Sequence, residues 1–402
     1  MTTANFWTFD NIRRACGGNW LSRGKNPETS GALLAAGLST DSRSIRPGQA
    51  FLALHGDRFN GHDFLEPTVK AGASLLIVDD ETAASASRLG ALASEYDFSV
   101  LRVADTGKAL MKLAGAFRKT LERTRVVAVL GSNGKTTTTR LITAVLASSL
   151  RGTASAKSFN NSVGVPLTIL SASPSDQFLI CEVGTNAPGE IAALAEIVRP
   201  DVVVVTSIGR EHLEGFGTLD GVAREEGAVF SYLAPGALAI VPSELPDGCD
   251  SFSELLKAAP NIVRFGRSDD ADLRASGIRI ENGRLTFLLN GRLACTLKLL
   301  GEHNAVNALA AVAVGRRFGI DEQRIVAALA EAKGPEMRLE VVEVELGIAT
   351  PNHSHVSRMT FLNDAYNANP DSTLASLRTF ETFAASCPGE GRRIAVLGDM
   401  LE

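Results

Sequence analysis

"VVAVLGSNGKTTTTR", residues 126–140, runs five apolar residues into two glycines, a lysine and four threonines. That order describes a buried strand, a tight turn and the start of a helix. Phosphate-binding loops usually read G-x-x-x-x-G-K-[ST]. Counting back from Gly134-Lys135-Thr136, the first glycine falls at 129, where the chain has Val129. The physics does not depend on that glycine. Gly131 and Gly134 permit a turn in which successive backbone N–H groups converge on phosphate oxygens. The following helix directs its positive end at the same point. Lys135 supplies a cation, and the Thr136 hydroxyl is placed to ligate Mg²⁺. The loop residues Gly131, Ser132, Asn133, Gly134, Lys135, Thr136 and Thr137 are therefore the first candidate site.

Outward from this loop, the chain has the character of a multidomain soluble protein. It has 402 residues, 45% hydrophobic and 21% charged, enough for two or three cores. The net charge of −5 gives no basic footprint for nucleic acid, so an anionic ligand needs local capture by loops and a few cations. Cys16, Cys181, Cys249, Cys295 and Cys387 are scattered without a C-x-x-C pair, which fits reduced thiols in the cytoplasm. The N-terminus carries no signal-peptide core, and runs such as "DVVVVTSIG" are strand-sized and too short to span a bilayer.

Apolar runs alternate with helical segments on both sides of the loop. "QAFLALHG", "ASLLIVDD" and "FSVLRVAD" read as strands in the first hundred residues, and Thr106–Arg123 as a helix. After the loop, "FLICEVG", "DVVVVTSIG" and "ALAIVPS" alternate with helices such as "PGEIAALAEIVR". Continuous apolar strands between helices indicate a parallel sheet covered on both faces. Residues 277–299 read instead as hairpins with Asn-Gly at both turns, followed by the helix "HNAVNALAAVAVGRRFG". "GPEMR", residues 334–338, marks a boundary to a last α/β segment with strands at "VVEVEL", "MTFLNDAY" and "RRIAVLGDM". Fewer than 70 residues remain there, a thin domain that reads as truncated at Glu402.

Polar residues gather at the ends of these strands. Glu182 lies at the carboxyl end of "FLICE", where open α/β sheets bind ligands, and can hold Mg²⁺ directly or through water. His212 follows another buried strand. Singly, such a Glu or His is more often a solvated or structural residue. Flanking one phosphate loop, the two together point to a site. Asn160 and Asn161 in "KSFNNSVGVPLT" either fix a polar ligand or serve their own loop backbone. Asp364, Asn367 and Asn369 follow the strand in "FLNDAYNANPDS", a weaker signal of the same kind.

Taken in order, these segments resemble the Mur ligases, ATP-dependent amino-acid ligases of peptidoglycan synthesis. Their phosphate loop is the shortened G-[TS]-N-G-K-T-[TS], which accounts for Val129. Further shared blocks are "DSRSIRPGQAFLALHGDRFNGHDFL", "SFNNSVGVPLTIL", "EVGTNAPGEI", "HLEGFGTLDGVA", "GEHNAVNALAA", "DAYNANPDS" and "VLGDMLE". Several are similar to the branch that adds D-alanyl-D-alanine to UDP-N-acetylmuramoyl-tripeptide. The resemblance implies an α/β fold in three domains: a UDP-substrate domain at 1–104, a central P-loop parallel-sheet ATPase domain at 105–334, and an incomplete Rossmann-like ligase domain at 335–402. It implies a cytoplasmic monomer that uses ATP and Mg²⁺, with no membrane span and no nucleic acid partner. A sister ligase for another amino acid, or a non-catalytic UDP-muramoyl-peptide binding protein, is the alternative.

Carried over position by position, the resemblance implies that Ser42 and Arg43 contact the UDP end, and that Asn160 and Asn161 lie along the peptide. Gly134, Lys135 and Thr136 hold ATP phosphates, with Thr136 and Glu182 on Mg²⁺ and His212 on a second metal. Asn304 and Asn307 lie near the adenine, Arg338 reaches the γ-phosphate, and Asp364 with Asn367 contacts the nucleoside or closes the site. One departure is chemical. The family carries an N-carboxylated lysine after "HLEGFG" that helps position metal, whereas this chain reads "GVAREEGAVF". By spacing Glu226, next to Glu225, occupies the lysine's place and offers a permanent, shorter carboxylate.

Overall fold

The computed structural model describes residues 6–24, 35–56, 58–79, 86–281, 283–350, 353–386 and 392–400. The chain divides into two compact units, one of 1–124 with 159–176 and 196–198, the other of 125–158 with 177–195 and 199–402.

In the first unit the short apolar runs pair as β1 (Asn19–Ser22), β2 (Leu38–Ser39), β3 (Ala50–Leu52), β4 (Leu75–Val78) and β5 (Ser99–Arg102). Their order is β1-β5-β4-β3-β2, parallel except for β1. Phe51, Leu76, Val78 and Val100 form its core with Leu65 and Val69 from the helix Leu65–Lys70. The helix expected over 106–123 spans Thr106–Arg118 and belongs to this unit. Asp105 caps it by accepting the Lys108 N–H at 2.8 Å.

The second unit is built on a nine-stranded sheet. Its strands are β6 (Arg125–Leu130), β7 (Gly152–Ala154), β8 (Phe178–Glu182), β9 (Val202–Val205), β10 (Leu238–Pro242), β11 (Asn261–Gly266), β12 (Leu273–Glu281), β13 (Arg284–Leu289) and β14 (Leu293–Leu297). The order is β14-β13-β12-β11-β10-β9-β6-β8-β7, parallel from β7 to β12 and antiparallel over the last three. Strands β8 and β9 are buried at every position, the reason their sequences do not alternate. The helices Lys135–Ala147 and His303–Arg317 cover the sheet, with Leu141, Val145, Ala308 and Val312 in one core with Val127, Ile180 and Val204.

The Asn-Gly turns behave as their chemistry requires. Asn290 and Gly291 both take positive φ, 49° and 68°, between β13 and β14. At the other turn Gly283 has φ 71° and Asn282 lies outside the described residues. Beyond them, β15 (Glu340–Thr350) and β16 (His353–Asn363) pair antiparallel, and the helix Pro370–Ser386 follows.

One expected strand is absent. "RRIAVLGDM" carries no strand over 392–400, and Val396 is 90% exposed. A strand exists by pairing, and among the described residues none pairs with it. The cysteines Cys16, Cys181, Cys249 and Cys295 are buried and in no disulfide among the described residues, and Cys387 lies outside the described residues. Among the described residues, no helix is long and apolar enough to cross a membrane.

Candidate functional site

Strand β6 lies between β8 and β9, and this reversal of order makes its carboxyl end the switch point of the sheet. The glycine loop leaves β6 there. Gly131 and Gly134 have φ of 115° and 87°, a region that disfavours side chains. A Cβ at Gly131 would come within 2.5 Å of Thr206 Oγ1, and one at Gly134 within 2.7 Å of Asn307 Oδ1. Gly134→Ala therefore strains the backbone by about 1–2 kcal/mol and pushes the loop off Asn307. The expected result is at least tenfold weaker nucleotide binding with a modestly lower Tm, read by calorimetry and thermal melts.

The segment after β9 braces the loop. Ser132 N–H donates to Ser207 O at 2.9 Å, and Gly209 N–H donates to Ser132 Oγ at 2.8 Å. Thr206 Oγ1 donates to Asn133 O at 2.6 Å. Lys135 folds back over the loop, donating from Nζ to Gly131 O at 2.6 Å and Ser132 O at 3.2 Å, with a Glu211 carboxylate oxygen 3.8 Å away. Its ammonium is thus held over the loop's own carbonyls.

Thr136 is the first meeting point of the expected ligands. Its hydroxyl donates to Glu182 Oε1 at 3.2 Å and lies 3.2 Å from Ser158 Oγ. The neighbouring register of β6 and β8, in which Val129 faces Glu182, brings the two together. Glu182 is 1% exposed.

Glu225 and Glu226 sit side by side on the helix Leu219–Gly227 and do different work. Glu225 accepts the N–H groups of Gly189 and Ile191, both at 2.8 Å, and so caps the helix Glu190–Val198. Glu226 is fully buried, and neither carboxyl oxygen has a formed hydrogen bond. Burial pushes its pKa up to about 8, with Lys135 opposing the rise and Glu211 and Glu225 adding to it. An acid raised in the native state favours the protein when protonated. That contribution is complete below the unfolded carboxyl range and is lost as pH climbs through about 8. Metal-free Glu226→Gln should therefore melt higher than the parent at pH 9 and show less change in Tm between pH 5 and 9.

The remaining residues divide clearly. Asn304 and Asn307 are buried on the helix His303–Arg317, Asn304 donating to Leu300 O at 2.7 Å and Asn307 to Asn304 Oδ1 at 2.9 Å. Asn307 thereby presents its oxygen to Gly134. Arg338 stands between Met337 and Leu339, both at positive φ (55° and 50°). Its guanidinium lies 4.4 Å over the Tyr366 ring and 3.5 Å from Thr136 Oγ1. Asp364 accepts the Leu339 N–H at 3.2 Å, and burial raises its pKa. Asn367 is exposed; Asn369 instead reaches the loop, donating to Asn133 Oδ1 at 2.9 Å. Asp371 accepts the Arg210 N–H at 3.2 Å.

His212 has φ 48° and precedes the helix Leu213–Phe216. His212, Glu182 and Glu226 do not converge in one three-ligand cluster. The group that does so among the described residues is His55, His62 and Asp79. In the first unit, Arg43 grips Asp41 through two bonds of 2.9 and 2.8 Å and holds its carboxyl down at about 2; Ser42 is half-buried beside it. Asn161 uses its oxygen on Val163 and Gly164 N–H at 3.2 and 2.9 Å, serving its own backbone, and Asn160 is half-buried. Sequence reasoning missed Glu211 and Ser158. Glu211 adjoins His212, yet nothing in that spacing aims it at Lys135.

A strand, a shortened glycine loop and a helix at the switch point of a parallel sheet define a P-loop protein. Comparison with known proteins narrows this. The Mur ligase middle domain matches residues 129–315, and the Mur ligase family catalytic domain matches residues 35–118. The UDP-N-acetylmuramoyl-tripeptide--D-alanyl-D-alanine ligase of Bacillus subtilis is 32% identical over 367 residues, covering 91% of this chain and 74% of that protein. The Escherichia coli enzyme of the same name is 32% identical over 382 residues, covering 94% and 77%. The crystal structure of MurF from Acinetobacter baumannii superposes with a TM-score of 0.75 at 30% identity, over 94% of this chain and 76% of that one. The chain belongs to the Mur ligase family.

Proposed function

We propose that this protein is a cytoplasmic ATP-dependent amide ligase that joins D-alanyl-D-alanine to UDP-N-acetylmuramoyl-tripeptide. The observation that carries the reading is the convergence of Thr136, Glu182 and Arg338 on the helix end of the phosphate loop. Residues 1–104 would take the UDP end through Ser42 and Arg43, 105–334 the ATP, and 335–402 would supply Arg338. Asn160 and Asn161 would contact the peptide, although Asn161 Oδ1 is already engaged, leaving its amide N–H groups for the ligand.

The donor set fits Mg²⁺. A hydroxyl and carboxylate 3.2 Å apart, and a buried carboxylate whose oxygens lack hydrogen-bond partners, are hard oxygen ligands awaiting a cation. Thr136 and Glu182 would hold one ion, Glu226 and His212 would serve a second, and the ions would neutralise phosphate charge. The chain's residues then do the following. The backbone N–H groups of the loop bind the phosphates. Lys135 leaves the carbonyls of Gly131 and Ser132 for the β- and γ-phosphate oxygens. Arg338 turns from Thr136 to the transferring phosphoryl group, and Asn304 and Asn307 lie toward the adenine with Asp364 and Asn367 near the nucleoside. The substrate carboxylate attacks the γ-phosphorus and ADP leaves. The D-alanyl-D-alanine amine then attacks the acyl phosphate, and inorganic phosphate departs as the amide forms.

Mass spectrometry of a reaction with both substrates and ATP tests this. The UDP-muramoyl-pentapeptide is expected. A product carrying another amino acid in its place would move the chain to a sister branch.

A further inference from the structure

We propose that His55, His62 and Asp79 form a binding site for a first-row divalent transition cation, Zn²⁺ foremost, at the carboxyl ends of β3 and β4. The argument is independent of the ligase reading and lies wholly in the first unit.

Asp79 directly follows β4, His55 lies three residues past β3, and His62 is the second residue of the turn Gly61–Phe64. A bridge between His55 and Asn60 closes the loop and stacks the two imidazoles, centroids 4.7 Å apart. His55 Nε2 lies 2.7 Å from Asp79 Oδ2, and His62 Nε2 lies 3.3 Å from Asp79 Oδ1. All three ligand atoms fall within 4.8 Å of one another.

The hydrogen bonds around His62 orient the three donors toward one point. Asn60 Oδ1 accepts the His62 backbone N–H at 3.0 Å, so this atom is the amide oxygen rather than the nitrogen. The same oxygen lies 2.8 Å from His62 Nδ1, which must therefore carry the ring proton. Nε2 is then the ring nitrogen turned toward Asp79, whose backbone N–H reaches it at 3.3 Å. Asp79 Oδ1 lies 3.3 Å from the same nitrogen, with the two side chains only 6% and 10% exposed. A metal at this point takes Nε2 of both histidines and the Asp79 carboxylate, displacing the long Asp79 N–H contact. Asn60 supplies the outer-shell bond that fixes the His62 tautomer. Two imidazoles and one carboxylate suit Zn²⁺, and the 40% exposure of His55 leaves a solvent side for the fourth ligand.

The test is titration of the full chain with Co²⁺, read by visible absorption, followed by displacement with Zn²⁺. One equivalent with a tetrahedral cobalt spectrum is expected, retained in Glu182→Gln and Glu226→Gln. His55→Gln, at a half-exposed position that does not threaten folding, should weaken Co²⁺ binding at least tenfold. Asn60→Ala should weaken it by about tenfold to a hundredfold. Absence of the spectrum, or a spectrum unchanged in His55→Gln, would show that the three side chains form a hydrogen-bonded brace only.

Discussion

Lys135→Ala should lower ligase turnover by roughly a hundredfold or more, about 3 kcal/mol of transition-state stabilisation, while the protein stays folded. The side chain is largely buried, yet its partners in this structure are the loop's own carbonyls at Gly131 and Ser132 and the Glu211 carboxylate. Those bonds contribute about 1 kcal/mol each at most. The charge matters far more when three phosphates crowd the loop. Steady-state kinetics with a thermal melt separates the effects. A folded Lys135→Ala enzyme with near-parental turnover would reject the site.

The second large effect concerns Glu226. If its carboxylate replaces a carbamate, the parent enzyme runs at full rate without bicarbonate, and Glu226→Ala loses roughly a hundredfold in turnover. Glu226→Lys then becomes informative. A lysine there should restore activity only when bicarbonate is supplied, since only the carbamate returns the missing oxygens. Strong bicarbonate stimulation of the parent, or a silent Glu226→Ala, would overturn the assignment. Fully buried oxygens without hydrogen bonds are costly, and the proposed metal-ligand role would account for keeping them there.

The sheet was legible because its strands declare themselves. β6, β8 and β9 are continuous apolar runs, and Gly131, Gly134 and Lys135 punctuate the central one. Glu182 was legible for the same reason, as the polar residue that ends a buried strand. What the sequence could not express is direction. Glu225 and Glu226 are neighbours about 100° apart on a helix, so one caps another helix while the other is driven inward. Asn161 spends its oxygen on its own loop, and Asn369 rather than Asn367 meets Asn133. "RRIAVLGDM" has a strand's composition, but composition supplies no partner, and no strand among the described residues pairs with it. The grouping of His55 and His62 with Asp79 depends on the parallel pairing of β3 and β4, which no local pattern states.

The most direct measurement is phosphate release from ATP with UDP-N-acetylmuramoyl-tripeptide, with and without D-alanyl-D-alanine, in bicarbonate-free buffer. The ligase assignment with Glu226 as metal carboxylate predicts sustained release that requires both substrates. Binding of the UDP-tripeptide without any release, or release that begins only on adding bicarbonate, would contradict it.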